Sequence, residues 1–196
     1  MVHMMSHLAR AIVVTTLAVS AVRAQATQPH RTSVLDLTLG SHNVSGAVFD
    51  YRRGGFADLF VAGAVRSTPA RALVAGVGVG AIMGGFGDRC LLRPDGSCAP
   101  QANFIATSAL AGIDVPLGEG SGRLLVGPAL YTGNDNRSVG FQARMDLSLP
   151  ALAHVGLGGM ARMSVLKSTT DRTDVNQRYT GEWFRAVAMG VSVFVR

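Results

Sequence analysis

The chain has 196 residues, 48% of them hydrophobic and 15% charged, with 24 glycines and a net charge of +6. That length suits a single domain. Lys167 is the sole lysine and the arginines form neither a run nor a regular stripe, so the positive charge gives no support to nucleic-acid binding.

Residues 1–24 read as a cleavable secretory signal peptide. Met1 to Arg10 carry one arginine, two histidines and no acid; Ala11 to Val22 are apolar or small; Val22-Arg-Ala24 then sets small residues at the −3 and −1 positions. The apolar run of about a dozen residues is short of the roughly 20 needed for a helical span. Cleavage is expected after Ala24 or Ala26, and it would remove Arg10 and Arg23 from the charge balance. Residues 25–32 form a short N-terminal segment.

From residue 33 onward the sequence is a succession of strand patterns, near 33–42, 56–66, 71–84, 103–117, 122–132, 138–149, 153–166 and 182–195. The first sets Leu35, Leu37 and Leu39 against Asp36 and Thr38. The third sets Leu73, Val77, Val79 and Met83 against Gly76, Gly78 and Gly80. The sixth is the clearest: Val139, Phe141, Ala143, Met145, Leu147 and Leu149 alternate with Gly140, Gln142, Arg144, Asp146 and Ser148. That period of two is a strand with one apolar and one polar face. It is also as long as a tilted bilayer crossing requires, about 9–11 residues. The seventh and eighth repeat the pattern; the second and fifth do not alternate cleanly. Connections after the second, fourth and sixth strands are short. Those after the first (43–55), third (85–102) and seventh (167–181) are long, and that after the fifth (133–137) is brief. Short turns on one side and longer loops on the other are the habit of outer-membrane barrels.

Other features are weighed on this frame. Phe56, Phe104, Tyr131, Phe141 and Trp183 fall near strand ends that border the outer connections, and they are the expected aromatic girdle at the membrane interface. Cys90 and Cys98 flank the turn signal Arg93-Pro-Asp-Gly96, and export makes a structural disulfide the natural state. Closing so small a loop is worth about 2.5 kcal/mol in the chain-entropy account. Gly76, Gly80 and Gly84 also have the spacing of a packed transmembrane helix, an alternative for residues 72–87. As barrel residues, these glycines fit a crowded lumen. Asp36, Asp114, Arg144, Asp146 and Arg162 are expected to face that lumen and to pair there, because unpaired buried charge is very costly. Catalysis has little support: the mature chain has only His30, His42 and His154, and no GxSxG elbow exists. The one serine–histidine pairing worth weighing is Ser148 with His154.

On these strands and this loop asymmetry the chain resembles the small eight-stranded outer-membrane barrels of the OmpA/OmpX and opacity-protein type, over roughly residues 33–195. It departs from them at its end, where such proteins usually close on an aromatic residue; here Phe194 is third from last and Arg196 terminal. The resemblance implies an all-β fold, an eight-stranded antiparallel up-and-down transmembrane barrel over 33–196, in a bacterial outer membrane. It implies a structural or surface-interaction role with a plugged lumen, no cofactor, no catalytic residue and no metal site. Expected partners are outer-membrane lipid and the barrel-assembly machinery, with the partners of the loops unspecified. A soluble periplasmic or secreted barrel holding a small apolar ligand is the alternative, and a lipid acyl hydrolase the third reading.

Overall fold

The structure, a computed structural model, describes residues 34–46, 49–68, 70–83, 104–133, 136–169 and 183–195. The signal peptide, the segment 25–32 and the cysteine pair Cys90 and Cys98 lie outside the described residues.

Eight strands form in chain order: β1 (Leu35–Gly46), β2 (Phe49–Ser67), β3 (Ala72–Met83), β4 (Phe104–Leu117), β5 (Gly120–Gly133), β6 (Asn136–Pro150), β7 (Val155–Ser168) and β8 (Trp183–Val195). Each pairs antiparallel with the next, and β8 returns to β1 from Leu35↔Val195 to Gly46↔Phe184, closing an up-and-down barrel. Closure leaves no unpaired edge. Of the residues read alternatively as a helix, 72–87, those described, 72–83, are strand β3.

The three turns at the end where β1 begins and β8 finishes are short. Thr68 closes the first: its backbone N–H donates to the Arg71 carbonyl at 2.8 Å, and its hydroxyl accepts from the Arg71 N–H at 3.2 Å. Gly118 takes φ of 62° in the second, a left-handed conformation that glycine adopts without steric cost. In the third, the amides of Ala151 and Leu152 both donate to the Val155 carbonyl. At the opposite end one expectation fails. The connection expected at 43–55 is mostly strand, because pairing between β1 and β2 continues out to Gly46↔Phe49, with a bulge between Val44 and Gly46. One ladder is interrupted: between Ser108↔Ala129 and Ala111↔Val126 no pairs form across β4 and β5. Pro128 lies in that gap and has no N–H to donate.

The outer wall is apolar. On β6, Val139, Phe141, Met145, Leu147 and Leu149 are exposed while Gln142, Arg144, Asp146 and Ser148 are buried. On β8, Val187, Met189, Val191, Val193 and Val195 face out in the same way. No second layer of the described chain covers these side chains, so their apolar surface requires an apolar medium.

The girdle expectation needs correction. Phe141 and Trp183 face outward, at 72% and 56% exposure, but Phe56, Phe104 and Tyr131 are buried in the lumen. A strand-end position does not determine a face; parity does. β2 buries its even positions Phe56, Asp58 and Phe60, β4 its even positions Phe104, Ala106 and Asp114, and β5 its odd positions Arg123, Leu125 and Tyr131. An eight-strand interior is only just wide enough for side chains, so rings fill it. Phe56, Ile82, Phe104, Tyr131, Leu166 and Phe184 belong to one apolar cluster at the loop end. Phe60, Ala72, Val74, Leu110 and Leu125 belong to a second, nearer the turns.

Candidate functional site

Between the two apolar clusters lies a buried ionic network. β2 places it: in successive inward positions it presents Phe56 of the first cluster, then Asp58, then Phe60 of the second. Asp36 enters from β1, Arg123 from β5, Arg144 and Asp146 from β6, and Arg162 from β7. All six of these charged residues are 4% exposed or less.

Strand register creates a problem that the network resolves. Arg144 and Arg162 stand directly opposite each other on β6 and β7. Like charges so placed repel. Asp58 reaches across the lumen to both: one carboxylate oxygen is in a close ion pair with Arg144 Nη1, and the other accepts from Arg162 Nη1 at 3.1 Å. Arg144 Nε also donates to both oxygens of Asp146, at 2.9 and 3.0 Å. Arg123 pairs closely with Asp36 and reaches Asp146 through Nε at 3.2 Å. Arg144 Nη2 lies 3.8 Å from Asp36. These six residues thus form one chain of three acids and three arginines, balanced in charge.

Aromatic rings complete the site. The guanidinium of Arg144 lies 4.5 Å from the Phe60 ring centroid and that of Arg123 5.7 Å from it, while Arg162 lies 5.0 Å from Phe56. Planar guanidinium groups stack on ring faces, whose negative quadrupole offsets some of the lost hydration. Hydroxyl and amide bonds fill the remainder: Tyr131 with Ser164 at 3.0 Å, Ser164 donating to Gln142 at 3.2 Å, and Thr38 with Ser192 at 2.7 Å.

The glycines of β3 make this arrangement possible. A Cβ at Gly80 would stand 2.7 Å from an Asp58 carboxylate oxygen, one at Gly76 2.7 Å from the Phe60 ring, and one at Gly78 3.0 Å from it. Replacing Gly80 by leucine should therefore displace Asp58. The expected loss of stability is about 1–3 kcal/mol from overpacking, more if the ion pairs break, read as a lower urea midpoint of the lipid-reconstituted chain.

Of the charged residues expected in the lumen, Asp36, Arg144, Asp146 and Arg162 meet in one network. Asp114 is also buried on the inner face, opposite Arg123 in the β4–β5 register. Asp58 and Arg123, missed by sequence reasoning, are central to it. Ser148 and His154 are differently disposed: the Ser148 hydroxyl is buried against Ser121 at 2.9 Å, and His154 is exposed in the last short turn.

The fold matches that of Neisserial surface protein A. The two chains are 13% identical, the match covers 82% of this chain and 94% of that one, and the TM-score is 0.57. The attachment invasion locus protein Ail of Yersinia pestis also aligns, at 10% identity over 83% of this chain and 97% of that one, with a TM-score of 0.46. No protein-family model matches the sequence, and no curated protein matches it. At such identity the likeness to Neisserial surface protein A carries the architecture alone: a small eight-stranded barrel of the outer-membrane type, as the strand patterns led one to expect.

Proposed function

We propose that the chain is a closed, poreless barrel of a bacterial outer membrane, a rigid platform whose outer connections contact the surroundings. One observation carries this reading: the barrel buries its charges in the lumen and is apolar outside. Leu39, Phe141, Leu149, Met189 and Val191 are each more than 60% exposed on the outer wall, whereas the charged side chains of the described lumen are buried among themselves. A soluble barrel that binds an apolar ligand needs the reverse arrangement, an apolar cavity under a polar exterior.

The lumen network serves as a plug on this reading. Its arginines are held by two or more groups each, counting ring faces, and apolar clusters stand on both sides of it. Interaction with the surroundings falls, on this reading, to the two longest connections between strands, 84–103 and 169–182. Among the described residues, no arrangement of a nucleophile with a base favours the hydrolase reading.

Two measurements on the refolded chain test the proposal. Unheated and heated samples should migrate differently on a denaturing gel, with a β-type circular dichroism spectrum in detergent. In a planar bilayer, the wild type should give no steady conductance. A chain that is water-soluble without detergent would overturn the membrane assignment, and a stable open channel would overturn the plug.

A further inference from the structure

On the outer wall, the strict exclusion of charge from β6, β7 and β8 ends at the loop side with three cations. From Val139 to Leu149, from Leu157 to Val165 and from Val187 to Val195, the outward positions hold no charged residue; the next outward positions are Arg137, Lys167 and Arg185, all exposed. Register makes them neighbours. Lys167 pairs with Val139 and with Trp183, while Val165 pairs with Arg185 and the Arg137 carbonyl accepts from the Thr169 N–H at 2.8 Å. Lys167 is therefore diagonal to both arginines, within reach of long side chains across a sheet. Its ammonium lies 5.9 Å from the Trp183 ring centroid. Among the described residues neither Lys167 nor Arg185 has a carboxylate within ion-pair distance. A groove of about 520 Å³ opens beside Arg185, which lines it with Ser45, Val165, Trp183 and Phe184.

We propose that this rim binds a phosphate-bearing headgroup of a membrane lipid. Lys167 and Arg185 hold the phosphate, Arg137 supplies a third positive charge, and the acyl chains lie along Val139, Phe141 and Val165 below. The chemistry selects this occupant. Clustered ammonium and guanidinium groups suit phosphate oxygens. Their place at the upper edge of an uninterrupted apolar wall, beside an exposed tryptophan, is the depth at which headgroups meet a barrel. The inference rests on the membrane reading above.

The test uses the full mature chain refolded into phosphatidylcholine nanodiscs. A fluorescent bisphosphorylated glucosamine lipid is titrated into the wild type, into K167Q/R185Q, and into R71Q, which removes an exposed arginine from the turn at the other end. Each cation near an anionic surface contributes a several-fold factor in binding, so the double variant should bind on the order of tenfold more weakly, while R71Q binds as the wild type does. The dephosphorylated lipid should not distinguish the three. Equal affinity of wild type and double variant would overturn the proposal while leaving the barrel reading intact. Inorganic phosphate that competes at equal phosphate concentration would assign the site to free phosphate and overturn the lipid assignment. A chain that fails to enter the nanodiscs, with no heat-modifiable band, would overturn the membrane reading and this proposal with it.

Discussion

Replacing Asp58 by alanine should be the most damaging single change in the lumen. Asp58 is the shared partner of Arg144 and Arg162, which face each other directly across β6 and β7. Without it the linked network holds two acids against three arginines. Arg162 loses its one ion-pair partner among the described residues, and two guanidinium groups are left opposed in a site from which water is nearly excluded. Removing one member of a buried pair typically costs about 3–5 kcal/mol, because the partner's charge stays buried without compensation. Asp58→Ala is expected in that range, measured as the change in unfolding free energy in urea, with the lipid-reconstituted chain followed by Trp183 fluorescence. Arg162→Leu should cost distinctly less. It removes one positive charge together with the Arg144–Arg162 repulsion and leaves Asp58 paired with Arg144. The double variant Asp58→Ala/Arg162→Leu should then recover part of the Asp58→Ala loss. Equal effects of the two single changes, with simple additivity in the double, would mean that the two residues are not coupled through the network.

The reason Asp58 escapes a reading of the sequence is also the reason two strands were hard to orient. β6 was legible because each of its inward positions from Gln142 to Ser148 is polar or small and each outward one apolar. β2 and β5 break that rule. Phe56 and Phe60 flank Asp58 on the inner face, and Leu125 follows Arg123, so both faces of these strands carry apolar residues and alternation gives no answer. A binary pattern separates wall from lumen only where the lumen is polar, and this lumen is polar across its middle and apolar toward both ends. A signal was nonetheless present. Asp58 is the single charge between Phe56 and Val65 of β2 and Arg123 the single charge of β5, and a charge on the lipid face of a barrel is penalised. That penalty alone assigns both to the interior, and with them the parity of Phe56, Phe60 and Tyr131. The same parity rule corrects the aromatic girdle, which position along the strand had suggested and facing did not support. The glycines of β3 were legible in kind, as small residues for a crowded interior. What they make room for, the Phe60 ring and the Asp58 carboxylate, emerges only when β2 and β3 are placed side by side.

A charge moved to the wall should report the surrounding medium directly. On β6 the outward apolar band runs from Val139 to Leu149, and Met145, 48% exposed, lies close to its middle. In a bilayer, Met145→Arg places a guanidinium near the midplane, where arginine on the lipid face of a barrel costs about 2–4 kcal/mol. Leu149→Arg makes the same change at the last residue before Pro150, next to the short turn. There the penalty falls to about 0–1 kcal/mol because the side chain reaches the interface. In a water-soluble barrel both positions are merely exposed, and each change should stay within about 0.5 kcal/mol of the wild type. The measurement is urea unfolding of the vesicle-reconstituted chain for both variants. A graded loss, large at residue 145 and small at 149, is what a membrane wall produces, since only depth differs between two outward positions on one strand. Small and equal losses would show that the apolar band faces no hydrocarbon. The alternation along β6 is thereby tied to a free-energy difference between residues four positions apart, which no property of the folded chain in water would supply.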